Sequence, residues 1–383
     1  MTVWDTLVGQ RHVITALRSA VAGQGMTHAW LFTGPPGSGR SNAAVAFAAA
    51  LQCVQDGLGP DCPDGCHSCH TVLAGSHADV AVIRTAKLSI GVDEVRELVR
   101  RASLSPMGDR WQILIVEDAD RLTEQACNAL LKAIEEPNGR TLWMLCAPTV
   151  EDVLPTIRSR CRLVTLSTPT AEEVAGFLVA RGVAEPLASY AARASQGHIG
   201  RARALALDEA VRTRRQEVVS MPARLTSLGR CMDAATRLAT TAKEEADAIT
   251  AELDAREKTD LDASYGVVER GRRPREYGPA LAAREKGQRT RAKRRHLDVV
   301  DRGLTDLMSV YRDAIALACG APGALVNEEI RDQVESIVET STPELNLRRI
   351  GWIFAAREQM LEFNVPVALA LESMMVALKV PQR

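Results

Sequence analysis

"LFTGPPGSGRSNAA", running from Leu31 to Ala44, is the most informative segment of this chain. Two glycines with four residues between them, followed by a basic residue and a hydroxyl, outline a phosphate-binding loop between a strand and a helix. Consecutive backbone N–H groups in such a turn, with the amino end of the next helix, form a cradle for anions. The glycines that allow this geometry are Gly34, Gly37 and Gly39.

The basic residue of this loop departs from the motif. Arg40 stands where lysine normally does, and Ser41 stands where a hydroxyl would ligate Mg²⁺. Lysine offers a compact point charge to the β- and γ-phosphates, whereas the guanidinium group is longer and planar. Binding of ATP or ADP therefore stays open, Mg²⁺ would enter only with a nucleotide, and fast turnover is not expected.

A pair of carboxylates follows the apolar run "ILIV" further along the chain. Strands of this kind usually end in Asp-Glu, where Asp positions Mg²⁺ and Glu polarises the attacking water, but here the order is Glu117-Asp118. Each carboxylate is then displaced by about one methylene group, and a misplacement near 1 Å can cost on the order of 100-fold in rate. The swap argues against independent hydrolysis. A solvated acidic strand end is the alternative reading.

Short apolar runs alternate with helical patterns up to about residue 166. Continuous apolar runs are typical of parallel strands that are covered on both faces by helices. The first domain is therefore predicted to be α/β with a parallel sheet. The predicted strands are Ala29–Thr33, Asp79–Ile83, Gln112–Val116, Leu142–Cys146 and Arg162–Leu166.

Length and charge exclude several classes of protein. The chain has 383 residues, a length that suits two or three domains. Its formal net charge of −1 argues against a uniformly basic surface for nucleic acid. The amino terminus lacks a basic region followed by an apolar core, and no apolar run approaches the length of a membrane span. We predict a cytoplasmic protein without a membrane partner.

Four of the nine cysteines are clustered in one insert. A disulfide framework suits small secreted domains, whereas four thiolates around "CPDGCHSC" suit a tetrahedral, structural zinc ion. A loop with incidental cysteines is the alternative, and His67 or His70 could replace a ligand. The predicted ligands are Cys53, Cys62, Cys66 and Cys69.

The strand signals fade after residue 166, and the rest of the chain reads as helical. Residues 243–262 hold eight acidic and three basic residues, and residues 269–296 hold eleven Lys/Arg and three acidic residues. Pro, Gly and few apolar residues predict a flexible insert in part of the basic stretch. It could contact duplex phosphates, or it could be a solvated run that pairs with the acidic helix.

"TIRSRC", from Thr156 to Cys161, contains a further candidate group. Arg160 lies in a loop just before the last predicted strand, between Ser159 and Cys161. Offered to a neighbour's γ-phosphate it would be an arginine finger, which is worth on the order of 10³–10⁵ in rate. A solvated surface charge is the alternative, and spacing alone does not decide between them.

These motifs occur together with "VGQ", "VDEVREL", "ALLKAIEEP" and the late "NVPVALALESMMVAL". In this order they resemble the delta-prime family of bacterial DNA polymerase III clamp-loader subunits, most closely over residues 1–207. The resemblance implies an AAA+ P-loop domain with a zinc-binding insert (1–166, the insert at about 53–69), a small helical lid (167–207) and an all-α collar (208–383) with a charged insert at about 243–296.

The same resemblance implies roles for residues and partners. Arg160, in the Ser-Arg-Cys loop with Ser159 and Cys161, would act in trans on ATP held by a gamma/tau subunit. The chain would assemble with gamma/tau and delta, and would meet primed DNA and the sliding clamp through that complex. It would be a subunit of a DNA polymerase holoenzyme without ATPase or polymerase activity of its own.

Departures from the active gamma/tau pattern favour this interpretation. The loop lysine, the Asp-Glu strand end, a polar pair before the Ser-Arg-Cys loop and a later arginine are all replaced. Two alternatives remain at this point: an active ATPase of the gamma/tau type, and a zinc-stabilised scaffold or DNA-binding module. The replacing residues are Arg40, Glu117-Asp118, Ala147-Pro148 and Gly200, with Arg201 one position late.

Overall fold

A computed structural model describes residues 2–54, 66–85, 89–265, 274 and 277–379. The chain divides into two compact units, Met1–Leu207 and Asp208–Arg383. Within the described residues, no helix combines the length and the apolar character that crossing a bilayer requires.

A five-stranded, wholly parallel sheet forms the centre of the first unit, with the strand order β2-β3-β4-β1-β5. The predicted α/β class with a parallel sheet is therefore confirmed, and each predicted strand is present with small shifts at its ends. The strands are β1 (Ala29–Thr33), β2 (Val80–Ile83), β3 (Gln112–Val116), β4 (Thr141–Ala147) and β5 (Arg162–Thr165).

Helices surround this sheet and complete the first unit. They are α1 (Arg11–Val21), α2 (Arg40–Gln52), α3 (His67–Leu73), α4 (Val92–Ala102), α5 (Glu124–Glu135), α6 (Pro155–Arg158), α7 (Ala171–Val179), α8 (Glu185–Ser195) and α9 (Ile199–Leu207).

Alternate side chains of the strands enter two apolar clusters, one on each face of the sheet. Trp30 and Phe32 of β1 point toward Phe47 of α2, whereas Leu31 lies in the other cluster with Leu130 of α5. All five side chains are fully buried. Both faces are covered along β1, β3 and β4, which is why these strands read as continuous apolar runs, whereas β5 at the edge of the sheet is partly exposed.

The second unit is helical. Its helices are α10 (Glu209–Val219), α11 (Leu228–Ser264), α12 (Tyr277–Ala318), α13 (Arg331–Thr340), α14 (Pro343–Leu361) and α15 (Val367–Ala377). A single apolar cluster holds them together, and its members on the two long helices end at Ala246 and Leu297.

A helical arm extends beyond that cluster, formed by residues 247–265 of the acidic stretch and 277–296 of the basic stretch. Residues 277–296 are helical, and the rest of the basic stretch, apart from residue 274, lies outside the described residues, so the flexible part that the sequence predicts is not found in 277–296. Arg291 of α12 bonds both Asp254 and Glu257 of α11, and Gln288 also donates to Glu257. The two charged stretches therefore pair as antiparallel helices, and buried Leu261 and Tyr277 add apolar contacts to the ion pairs.

Candidate functional site

The glycine-rich loop joins β1 to α2 in the geometry that the motif predicts. Gly39 is the residue immediately before α2, with φ of +95°, and Gly37 has φ of +85°. Residues other than glycine rarely adopt such φ angles. These glycine conformations, directly before the amino end of α2, are compatible with an anion cradle.

Arg40 is turned back onto this loop. Its Nη1 donates to the carbonyl oxygen of Gly34 at 2.6 Å, and the residue is half-buried. The Nη1 edge of this guanidinium group therefore contacts its own loop and is not available to a phosphate in this conformation. The replacement of lysine by arginine thus changes the contacts of the cradle and leaves its backbone shape intact.

A histidine from the end of the first unit closes over the same loop. A Cβ atom added to Gly37 would collide with the imidazole ring of His198. His198 also accepts a bond through Nδ1 from the backbone N–H of Arg201 at 3.3 Å, which fixes the ring at the start of α9. Sequence reasoning singled out the "GHIGR" stretch only for its missing arginine and did not assign a role to this histidine.

The magnesium-side hydroxyl is also engaged inside the chain. Ser41 hydrogen-bonds the thiol of Cys146, a fully buried residue near the end of β4. Burial raises the pKa of the Cys146 thiol, and the nearby Glu117 carboxylate raises it further, whereas Arg40 opposes the shift. The loop and the strand-end acids are therefore close enough to interact electrostatically.

The two strand-end acids have different surroundings. Burial raises the pKa of Glu117, although Arg84 opposes it through an ion pair from its Nε to Glu117 Oε2 at 2.9 Å. Within the part of the chain that the structure describes, Oε1 of Glu117 is buried without a hydrogen-bond partner. Burial also raises the pKa of Asp120, and the charge of the nearby Asp118 raises it further. The carboxylate after β3 is thus bound to an arginine of its own chain.

The predicted finger lies in a separate cluster. Arg160 donates from Nη1 to the carbonyl oxygen of Thr156 at 2.8 Å and to Ser159 Oγ at 3.3 Å. Its Nη2 lies 2.6 Å from Oε1 of Glu135, the last residue of α5. The side chain remains 39% exposed. Cys161 is half-buried, and burial raises its pKa to about 12, so it is a thiol at neutral pH.

Three of the four predicted zinc ligands come together. The Sγ atoms of Cys53, Cys66 and Cys69 lie within 4.8 Å of one another, and those of Cys53 and Cys66 are 3.9 Å apart. Cys62 lies outside the described residues. His67 and His70 are exposed on α3.

This geometry fits a tetrahedral metal better than a disulfide. Zinc–sulfur bonds of about 2.3 Å separate tetrahedral sulfurs by about 3.8 Å, whereas a disulfide needs about 2.05 Å. Burial would raise the pKa of Cys66, but hydrogen bonds from the backbone of Cys69 and Val54 and from neighbouring thiols lower it to about 7. A thiolate, the form that binds zinc, is therefore accessible at neutral pH.

Sequence reasoning missed two side chains that bind the predicted site residues. Arg84 pairs with Glu117, and Glu135 pairs with Arg160. Both are distant in sequence from the residue they contact. The only signal for Glu135 was its place in "ALLKAIEEP", which indicated a helix end.

Comparisons with known proteins agree on one family. The family model described as "DNA polymerase III, delta subunit" matches residues 9–170. The gamma/tau subunit of Mycobacterium tuberculosis is 37% identical over 155 residues, covering 40% of this chain and 27% of that protein. The delta' subunit of Haemophilus influenzae is 36% identical over 160 residues, covering 41% of this chain and 48% of that protein.

The similarity is confined to part of each protein. The chain spans between about a quarter and about half of the length of the curated relatives it matches. Among solved structures, a gamma subunit-related protein of Thermotoga maritima aligns over 96% of this chain and 98% of its own length. It is 15% identical, with a TM-score of 0.41.

Proposed function

Because the chain belongs to the clamp-loader AAA+ family, we propose that it is a delta-prime-type subunit of a DNA polymerase III clamp loader. In this role it assembles with gamma/tau and delta subunits in the cytoplasm. The complex, rather than this chain alone, meets primed DNA and the sliding clamp. The chain itself does not hydrolyse ATP.

The observation that carries the proposal is the contrast between the two clusters. Three side chains that would serve ATP contact other groups of the chain: Arg40 binds Gly34, Ser41 binds Cys146, and Glu117 binds Arg84. Arg160, in contrast, stays partly exposed on the short turn after α6. A chain that has lost its own ATP chemistry and still presents an arginine is suited to act on a neighbour's nucleotide.

In the proposed mechanism, Arg160 stabilises charge on the γ-phosphate of ATP held by an adjacent gamma/tau-type subunit. Guanidinium groups match phosphate oxygens in a bidentate manner, and they stabilise the charge that develops as the phosphoryl group is transferred. Ser159 and Cys161 position the turn, since Ser159 Oγ bonds the carbonyl of Thr156 and Cys161 is half-buried beneath it. The vestigial loop holds at most a nucleotide that is not consumed.

Zinc has a structural role in this proposal. The thiolates of Cys53, Cys66 and Cys69 would hold it, with Cys62 as the fourth ligand, and a closed set of four leaves no position for a substrate. Bound zinc would link the end of α2, where Cys53 follows Gln52, to the start of α3 at Cys66.

The domain assignment is part of the same proposal. Residues 1–166 form the AAA+ domain, 167–207 the lid, and 208–383 the collar. On α14, exposed apolar side chains recur at a spacing that favours contact with another helix, which supports a collar that joins subunits. They are Leu347, Phe354 and Leu361.

ATP hydrolysis tests the proposal. We expect no phosphate release from the chain alone, and DNA- and clamp-dependent hydrolysis from a loader reconstituted with gamma/tau and delta. Arg160→Ala should slow that hydrolysis by on the order of 10³-fold at the affected site, while size exclusion shows an assembled complex. Arg158→Ala, at the last residue of α6 and two positions before Arg160, is the matched control.

Two outcomes would contradict the proposal. Robust hydrolysis by the chain alone would indicate an active gamma/tau-type ATPase in which Arg40 replaces lysine. An assembled Arg160→Ala complex with the wild-type rate would mean that the arginine has no part in the reaction.

A further inference from the structure

The two terminal nitrogen atoms of the Arg160 guanidinium group have different partners. Nη1 is directed to its own turn, where it donates to the carbonyl of Thr156 and to Ser159 Oγ. Nη2 is directed to another element, the end of α5, and lies 2.6 Å from Oε1 of Glu135. Of these contacts, only the one with Glu135 joins the turn after α6 to another helix.

Both ends of this ion pair are fixed by buried neighbours. Ile134, immediately before Glu135, and Ile157, at the centre of α6, are fully buried in the same apolar cluster. In addition, the carboxyl end of an α-helix carries a partial negative charge, so the last turn of α5 attracts a cation. The position of Glu135 is therefore set by the core, while its carboxylate is 44% exposed and accessible to exchange.

We propose that Glu135 is the positioning residue of Arg160: it binds the Nη2 edge in the free chain and releases it to a phosphate oxygen of the neighbouring subunit's nucleotide. This inference rests on the proposed function of Arg160. Nη1 keeps its contacts with Thr156 and Ser159 throughout, so the turn holds its shape. One charge-assisted hydrogen bond is exchanged for another, and no covalent bond changes.

The exchange is feasible because the pair is exposed. Exposed ion pairs contribute little free energy, so removing the carboxylate should shift the balance by only about two- to fivefold. A buried pair would hold the arginine too strongly for a neighbour to displace it. Glu135 thus holds Arg160 in the free chain weakly enough for a neighbouring nucleotide to displace it.

The first test measures the accessibility of Arg160 in the full chain, without any partner. Phenylglyoxal modifies free guanidinium groups, and peptide mass spectrometry gives a rate for each arginine, with exposed Arg96 as the internal reference. We expect Glu135→Gln to raise the modification rate of Arg160 about two- to fivefold. Glu136→Gln, its exposed neighbour, should leave the rate unchanged, and Glu135→Asp should return it toward the wild-type value.

The second test uses the reconstituted loader. Titrating the chain into gamma/tau and delta gives the concentration for half-maximal ATP hydrolysis and the maximal rate. For Glu135→Gln we expect the half-maximal concentration to fall about two- to fivefold with the maximal rate unchanged. Arg160→Ala should lower the maximal rate instead.

The outcomes separate this inference from the proposed function. An unchanged modification rate for Arg160 in Glu135→Gln would overturn the positioning role, whatever the loader does. A half-maximal concentration that rises would also overturn it, because Glu135 would then favour the bound state. Faster modification combined with an active Arg160→Ala loader would keep the Glu135 contact and reject the proposed function.

Discussion

Replacing Arg215 by methionine tests whether a buried charge network stabilises the helical unit. Arg215 lies on α10 with its side chain 2% exposed. Its Nε lies 3.1 Å from Asp306 Oδ1 on α12, and its Nη1 lies 2.5 Å from Glu329 Oε1. Nη2 donates to Asn327, which is itself fully buried. One guanidinium group thus joins three separate segments of the unit.

The expected cost follows from what the substitution leaves behind. Methionine fills much of the volume, but Asp306, whose side chain is 5% exposed, loses the cation that compensates its buried charge. Removing one partner of a buried pair costs about 3–5 kcal/mol. In a unit of this size each kcal/mol lowers the melting temperature by about 2–4 °C, so the shift should be about 6–20 °C.

Differential scanning calorimetry measures the shift. Arg237→Met is the matched control, because Arg237 pairs with Asp233 along an exposed helix face, where a pair contributes about 0.3–0.5 kcal/mol. Adding Asp306→Leu to Arg215→Met should recover at least half of the loss, since that buried charge is then absent. A shift no larger than that of Arg237→Met, or a double variant no more stable than the single one, would refute the reasoning.

Three further predictions concern the first unit. Arg40→Lys should raise the affinity for ATP in calorimetric titration without giving phosphate release, because Ser41 still bonds Cys146 and the strand-end acids stay reversed; measurable turnover would contradict this. The chain should contain one zinc per molecule by elemental analysis, and Cys66→Ser should lose it while exposed Cys319→Ser keeps it. Burial raises the pKa of Glu117, so its contribution to stability is present below the ordinary value near 4.5 and is lost as pH rises through the folded value. Glu117→Gln should therefore lessen the fall in unfolding free energy between pH 4.5 and pH 8, and an unchanged slope would count against the assignment.

The sheet was predictable because its signal is local. β1, β3 and β4 are buried along their whole length, so residues such as Trp30, Leu31 and Phe32 form an unbroken apolar run that periodicity detects. The glycine loop was predictable for the same reason, since its backbone conformation depends on the glycines themselves. The end of α5 was marked by the local "EEP" sequence.

The contacts of the candidate site were not predictable, because they join residues distant in sequence. That Arg84 binds Glu117, that His198 covers Gly37, and that Glu135 holds Arg160 depend on how separate elements of the first unit pack together. For the basic stretch, composition left open whether it contacts DNA or pairs with the acidic helix. The pairing was visible only in the contacts between Arg291 and Glu257 of α11.

The charged arm of the helical unit can change without cost to the fold that carries it. The apolar cluster ends at Ala246 on α11 and at Leu297 on α12, and beyond these residues the two helices are joined mainly by polar contacts. Removing matched numbers of helical turns from both would leave every cluster residue in its register. The arm is thus a segment whose length and charge can diverge between relatives, while the bundle beneath it keeps its geometry.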